Sequence, residues 1–264
     1  MGQFIPDRRA LSMRDLFPDN TYSKLYKIIL QITQGIKMKK LLVVSTFMIL
    51  HSSAFALVGF GVQGGTDLNK LGAYNYTEGL VSVNALEMDA NPGNFGGYAF
   101  VDLFGYALEA EVDLGGGLYE FTFENPVNDL GPIEFPWIRL STVITLKKNI
   151  MDISIPFLAE AALNAGGGFS SHVSTPRASV DMVRELFGDD LTSVDALGEG
   201  MEDKLGDYLV DNSIEASGVH LQAGLRFKLL TFDTHANLRY TMAENVYDGS
   251  NGFMQFIIKF GFAL

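Results

Sequence analysis

The last twelve residues, FMQFIIKFGFAL, constrain the fold more than any other stretch. Phe256, Ile258, Phe260, Phe262 and Leu264 take every second position, with Gln255, Ile257, Lys259, Gly261 and Ala263 between them. Period two is the repeat of a β-strand, whose successive side chains point to opposite faces. One face of this strand must therefore meet a second sheet or lipid.

The same alternation recurs upstream. In 218–229, Val219, Leu221, Ala223, Leu225, Phe227 and Leu229 oppose His220, Gln222, Arg226 and Lys228. In 231–242, Phe232, Ala236, Leu238, Tyr240 and Met242 oppose Asp233, His235, Asn237 and Arg239, and the parity reverses across Leu229 and Leu230 as a two-residue hairpin requires. Three more segments alternate: 106–114, where Glu109, Glu111 and Asp113 share a face; 138–147, with Arg139, Ser141 and Lys147; and 151–165, with Asp152, Ser154, Glu160 and Asn164. Fainter strands at 58–66 and 95–104 bring the number to eight, or ten if 79–88 and 117–124 also belong to the wall.

Connections are expected to be short near 104–105, 148–151 and 229–230, and long over 67–94, 115–134, 166–216 and 243–252. An even strand number with short turns at one end and long loops at the other is the plan of an outer-membrane barrel. A soluble sandwich also alternates, but its polar face meets water and its turns need not alternate in length. The expected fold is all-β: an up-and-down antiparallel transmembrane β-barrel of eight, possibly ten, strands.

Export is written near the start. From Met38 the chain reads MKKLLVVSTFMILHSSAFA, with Lys39 and Lys40 ahead of an apolar core from Leu41 to Leu50 and an Ala54-Phe55-Ala56 cleavage site. Residues 38–56 are read as a secretory signal peptide and 57–264 as the mature barrel. A retained anchor is the competing reading, and this core is short against the ~20 residues of a spanning helix. Residues 1–37 are expected to precede the native start at Met38, or else to form a long signal extension.

The chain has no cysteine, which excludes disulfides, thiolate metal sites and cysteine nucleophiles. Of its 19 basic and 31 acidic residues, the first 56 carry eight and three, leaving 11 and 28 and a net charge of −17 in the mature part. Such a surface repels nucleic acid and anionic membrane head groups. No cofactor is expected.

The final strand is similar to the C-terminal assembly signal of bacterial outer-membrane proteins, with Leu264 where an aromatic is usual. The mature chain resembles the small eight-stranded outer-membrane barrel class that includes the outer-membrane protein A transmembrane domain. That resemblance implies a monomer in the bacterial outer membrane, surrounded by lipid and lipopolysaccharide and handled by the assembly machinery through its last strand.

An eight-stranded barrel is filled by its own side chains. By parity the lumen receives Asp102, Glu109, Glu111, Asp113, Asp152, Glu160 and Asp233 against Arg139, Lys147, Arg226, Lys228, Arg239 and Lys259, close to balance. If Lys228 and Thr231 flank one turn, Arg226 faces Asp233. If Lys147 faces Asp152 across 148–151, Arg139 faces Glu160. His220 and His235 are expected to donate within this network, metal binding being the sharper alternative. The residues expected to build the network are Arg139, Glu160, Lys147, Asp152, Arg226, Asp233, His220 and Arg239.

Residues 174–212 break the strand pattern and are expected to form a helical, acidic external loop. Thr175 before Pro176 reads as a helix start, with Val180, Val183, Leu186 and Phe187 on one face, and Val194, Leu197, Met201, Leu205 and Tyr208 repeat at helical spacing. Between Asp181 and Glu215 stand eleven acidic and two basic residues. A solvated face is the plain reading; a cation- or partner-binding lobe is the sharper one.

The stretch FSSHVSTP, 169–176, is similar in its F-x-x-H-x-S order to the motif of outer-membrane lipid A deacylases, which implies His172 activating Ser174. Thr175 stands where that motif has asparagine, and Pro176 follows. The expected role is an envelope-structural or surface barrel. A narrow channel for small or apolar solutes and a lipid A acyl hydrolase are the alternatives.

Overall fold

The computed structural model describes residues 57–264 except 104, 128, 156–157, 189–190, 192–200 and 248. The extension and signal peptide read from 1–56 lie outside the described residues, as do Val194 and Leu197. In chain order the elements are β1 (Leu57–Asp67), β2 (Tyr74–Glu78), β3 (Val81–Ala85), β4 (Gly93–Leu103), β5 (Tyr106–Glu124), β6 (Asp129–Ile155), β7 (Ala159–Ser174), α1 (Val180–Phe187), α2 (Met201–Asp211), β8 (Ile214–Leu229), β9 (Phe232–Met242) and β10 (Phe253–Ala263).

Eight strands close a ring. β1 pairs with β10 and β4, the pairing runs on through β5, β6, β7, β8 and β9 to β10, and every neighbour is antiparallel. Closure leaves no open edge around the wall. β2 and β3 form a hairpin attached through β3 to the upper part of β5, outside the ring.

The outer face of the ring is aliphatic and aromatic. Phe60, Val112, Leu146, Leu221, Leu238 and Phe260, from six different strands, are between 41 and 62% exposed. Large apolar side chains exposed around a whole circumference are the mark of a lipid-contacting band. No helix among the described residues is long and apolar enough to cross a membrane.

Strand β6 outruns the bilayer at both ends, above in the cap and below in the β6–β7 hairpin. The 27 residues of β6, at about 3.3 Å each, make roughly 90 Å of strand, several times a ~25 Å apolar band even when tilted. The upper halves of β5 and β6 stand above the lipid with the β2–β3 hairpin beside them. Their inner face, with Val83, Phe121, Phe123 and Phe135, packs against Val180, Met182, Val183 and Leu186 of α1 and Tyr208 and Leu209 of α2 in one apolar core. This cap sits on the loop end of the barrel.

Several expected boundaries move. The segments 115–124, 129–134 and 148–151 are strand, not loop or turn: β5 and β6 pair from Tyr106↔Lys148 to Glu124↔Asp129, and β6 continues past a bulge between Asn149 and Met151 to Ile155. The chain reverses between Ile155 and Ala159, so 151–165 is a hairpin. Strand β7 runs to Ser174, well into the stretch expected to be loop. The ten-strand alternative falls because 117–124 prolongs a wall strand and 81–85 pairs above the ring.

Both glycine triplets, 115–117 and 166–168, look like strand ends and are strand interior. A Cβ at Gly168 would lie 1.8 Å from the Ile144 carbonyl oxygen, and one at Gly115 would lie 3.1 Å from Arg139 Nη2. Glycine here admits the tight curvature and the large side chain opposite.

The helix does not begin at Pro176. Ser179 caps α1, its Oγ accepting from the Met182 N–H at 3.1 Å. The expected apolar face of Val180, Val183 and Leu186 is buried. A two-residue turn, Leu230-Thr231, joins β8 to β9, with Leu230 at φ 57°.

Candidate functional site

The lumen is built from the odd-numbered faces of β1, β5, β6, β9 and β10 and the even-numbered faces of β4, β7 and β8. Its charged groups fall into three tiers.

At the loop end, Asp67 closes β1 and is the hub. It pairs with Arg139, accepts from Gln255 Nε2 at 2.9 Å and from Asn94 Nδ2 at 3.3 Å, and takes the Tyr247 hydroxyl proton as a hydrogen bond. Arg139 also approaches Asp113 at 3.7 Å and donates to Ser141 Oγ at 3.0 Å. Its guanidinium lies 4.7 Å from the Phe253 ring centre. Trp137 falls on the polar parity of its strand and faces inward, with no bulge at Pro136; it lies 4.9 Å from Tyr247, only 2% exposed. Burial and the Asp67 charge push the Tyr247 hydroxyl far above the usual tyrosine value, so it remains a donor.

The middle tier joins β5, β6, β9 and β10. Glu109 receives Lys147 at 2.7 Å and Lys259 at 2.8 Å; Lys259 also lies 3.0 Å from Glu111. Arg239 pairs with Glu111 and donates from Nε to Gln222 Oε1 at 2.9 Å. All five charges are buried.

At the turn end, Arg226 grips Asp233 with two bonds, 2.9 and 3.0 Å, and reaches Asp102 at 3.3 Å and Glu160 at 3.9 Å. The His235 Nε2 stands 3.3 Å from Asp233, and its ring is edge-on to Tyr98 and Phe100. Buried ions are tolerable only in such paired geometry, because stripping either partner of water costs several kcal/mol.

Of the residues expected to pair, Arg226 and Asp233 meet, by a different register: Lys228 faces Asp233 directly and Arg226 reaches it diagonally, because Leu229 and Phe232 flank the turn. Lys147 meets Glu109 in place of Asp152, and Arg139 meets Asp67 in place of Glu160. Asp152 is exposed on the β6–β7 hairpin below the ring, opposite Ala162. His220 Nε2 lies 2.9 Å from Thr145 Oγ1. Among the described residues no group of three or more His, Asp or Glu is arranged to hold a metal ion. Sequence reading missed Asp67 and Tyr247; the parity running from Gln63 through Gly65 was the available signal for Asp67, and nothing local marks Tyr247.

His172 and Ser174 share the inward face of β7, but the imidazole is engaged elsewhere. Its Nδ1 lies 2.9 Å from Ser141 Oγ and its Nε2 3.0 Å from Ser170 Oγ, leaving neither nitrogen directed at Ser174. The ring is 2% exposed and packs against Phe253, inside the wall and away from lipid.

The closed ring, the aliphatic outer face and the ion-paired interior define an eight-stranded up-and-down transmembrane β-barrel. Solved structures with this architecture are similar to it at low identity. They include the N-terminal β-barrel domain of Pseudomonas aeruginosa OprF (13% identity, 79% of this chain and 97% of that one, TM-score 0.38) and the attachment invasion locus protein Ail of Yersinia pestis (12%, 79% and 97%, 0.38). Neisserial surface protein A aligns at 12% identity over 80% of this chain and 99% of its own, with a TM-score of 0.36. No protein-family model matches the chain, and no curated protein matches it.

Proposed function

We propose that this protein is a closed outer-membrane barrel whose role is to present a folded cap at the cell surface, a surface or envelope-structural function without solute flow. The observation that carries this reading is the interior. Arg139, Lys147, Lys259, Arg239 and Arg226 cross it at three levels, each neutralised by carboxylates, and the apolar cap core closes the loop end above Trp137 and Tyr247. A conducting pore needs a continuous wet path, whereas these side chains hold one another across the lumen.

The short-turn end faces the periplasm and the cap faces outside, following the asymmetry of outer-membrane barrels. Outer-membrane lipid and lipopolysaccharide surround the belt, and the last strand serves the assembly machinery. The acidic α1–α2 segment is a solvated face whose apolar side is used internally, by packing on the cap sheet.

The absence of cysteine makes surface topology directly testable. Asp207, exposed on α2, is replaced by cysteine and intact cells are treated with a membrane-impermeant maleimide. Labelling without permeabilisation is expected; labelling only after the outer membrane is opened would reverse the orientation and defeat the proposal.

A further inference from the structure

The strand faces that contact lipid do not stop at the top of the apolar band. On β5 the outward positions run Val112, Leu114, Leu118, then Glu120, Thr122 and Glu124; on β6 they run Ile144, Leu140, Ile138, then Pro136 and Glu134. Because side chains alternate without a bulge over 106–121, Glu120 points the same way as Val112, sideways and away from the barrel axis, at a greater height. Above the band this face widens onto the hairpin, where Asn75, Thr77, Ser82 and Asn84 continue it.

The residues of this upper face form one flat polar ladder. Asn75 donates to Asn84, Asn84 Nδ2 donates to Glu124 Oε1 at 3.0 Å and contacts Thr122 Oγ1 at 3.4 Å, and Ser82 Oγ donates to Glu124 Oε2 at 3.3 Å. The opposite face of the same sheet is filled by the cap core. The outward face is covered by no element of the chain among the described residues, and Asn75, Thr77 and Glu124 are exposed on it.

We propose that this ladder docks the sugar head groups of the glycolipid molecules whose acyl chains cover the belt directly below it. Continuity decides the occupant: a molecule whose tails lie against Val112 and Leu114 places its head group against the surface that rises from them on the same strands. Chemistry agrees. Carboxamides and hydroxyls offer donors and acceptors together, matching sugar hydroxyls, while the carboxylates of Glu120, Glu124 and Glu134 accept from hydroxyls and repel phosphate. The core sugars are therefore the recognised part.

The proposal rests on the outer-membrane reading, and the test separates the two. Full-length protein carrying a nitroxide on cysteine at Thr122, or separately at Val112, is reconstituted in three bilayers: phospholipid, lipid A without core sugars, and glycolipid bearing the core oligosaccharide. The Val112 label must be open to oxygen and shielded from a water-soluble nickel chelate in all three; failure there overturns the membrane reading and the docking with it. The Thr122 label is expected to lose chelate collisions several-fold only in the core-bearing bilayer. Equal accessibility with lipid A alone and with core-bearing glycolipid overturns the docking and leaves the barrel standing. In the labelled chain Asn84→Ala should restore accessibility; Thr77→Ala, at an exposed position with a single side-chain bond, keeps the test valid if the first variant misfolds. Unchanged protection in both variants contradicts the assignment.

Discussion

Lys259, five residues before Leu264, reaches across the lumen to Glu109 of β5, Nζ to Oε1 2.8 Å, and both side chains are completely buried. β1 and β4 separate their strands around the ring, so the pair braces the wall through its interior. Glu109 holds Lys147 at the same time. Glu109→Ala would leave two buried ammonium groups short of a partner, which by analogy with broken buried pairs costs about 3–5 kcal/mol. The check is the urea midpoint followed by heat-dependent gel mobility; an unchanged midpoint would show that the lumen is wet enough to hydrate both lysines.

The single tryptophan reports on the junction of barrel and cap. Trp137 is buried between Tyr247 and the Arg139 guanidinium, on the inner side of the wall. Its emission should be blue-shifted in folded protein, insensitive to aqueous iodide, and equally insensitive to brominated acyl chains. Quenching by brominated lipid would place it on the outer face. Trp137→Ala should cost about 3–5 kcal/mol through the cavity it opens.

Two exposed apolar residues should respond unequally to charge. Phe260 is 58% exposed on the belt and Leu80 74% exposed at the hairpin turn. Phe260→Arg should destabilise by ~2–4 kcal/mol if it lies near the bilayer midplane. Leu80→Arg, at a water-facing site, should stay within about 0.5 kcal/mol of the parent. Equal effects in equilibrium unfolding from lipid vesicles would remove the distinction between lipid and solvent on which the topology stands.

Tyr247 ties the β9–β10 loop to Asp67. Tyr247→Phe removes a hydrogen bond to a charged group, worth about 1.5–3 kcal/mol, and should speed amide exchange over 243–252. The hydroxyl is raised above its ordinary value of 10 by burial first and by the Asp67 charge second. Its contribution is therefore complete below about pH 10 and declines as pH rises toward the folded value. The phenylalanine variant should lack that alkaline loss, measured as the difference between the two unfolding midpoints across pH 9–11.

Alternation alone located most of the wall. Where side chains alternate cleanly, as at Asp233, His235, Asn237 and Arg239, sequence and structure agree on facing, because one face meets lipid and the other meets paired charge. The glycine triplets hid the continuation of β5 and β7, since glycine marks both a loop and a crowded strand interior. Pairing was less legible than facing. A one-residue difference in the turn at Leu230 changes which residue opposes Asp233, and long side chains such as Arg226 then bond diagonally. The hub role of Asp67 depends on residues up to 188 positions away, Gln255 among them, and no local pattern encodes such a contact.

The claim that the interior is braced shut is tested most directly by planar-bilayer recording of the purified, refolded protein. Ion current at the level of the bare membrane is expected across the voltage range. Reproducible conductance steps from heat-modifiable, fully folded protein would show that ions pass the Arg139, Glu109 and Arg226 tiers, and the barrel would then be a pore.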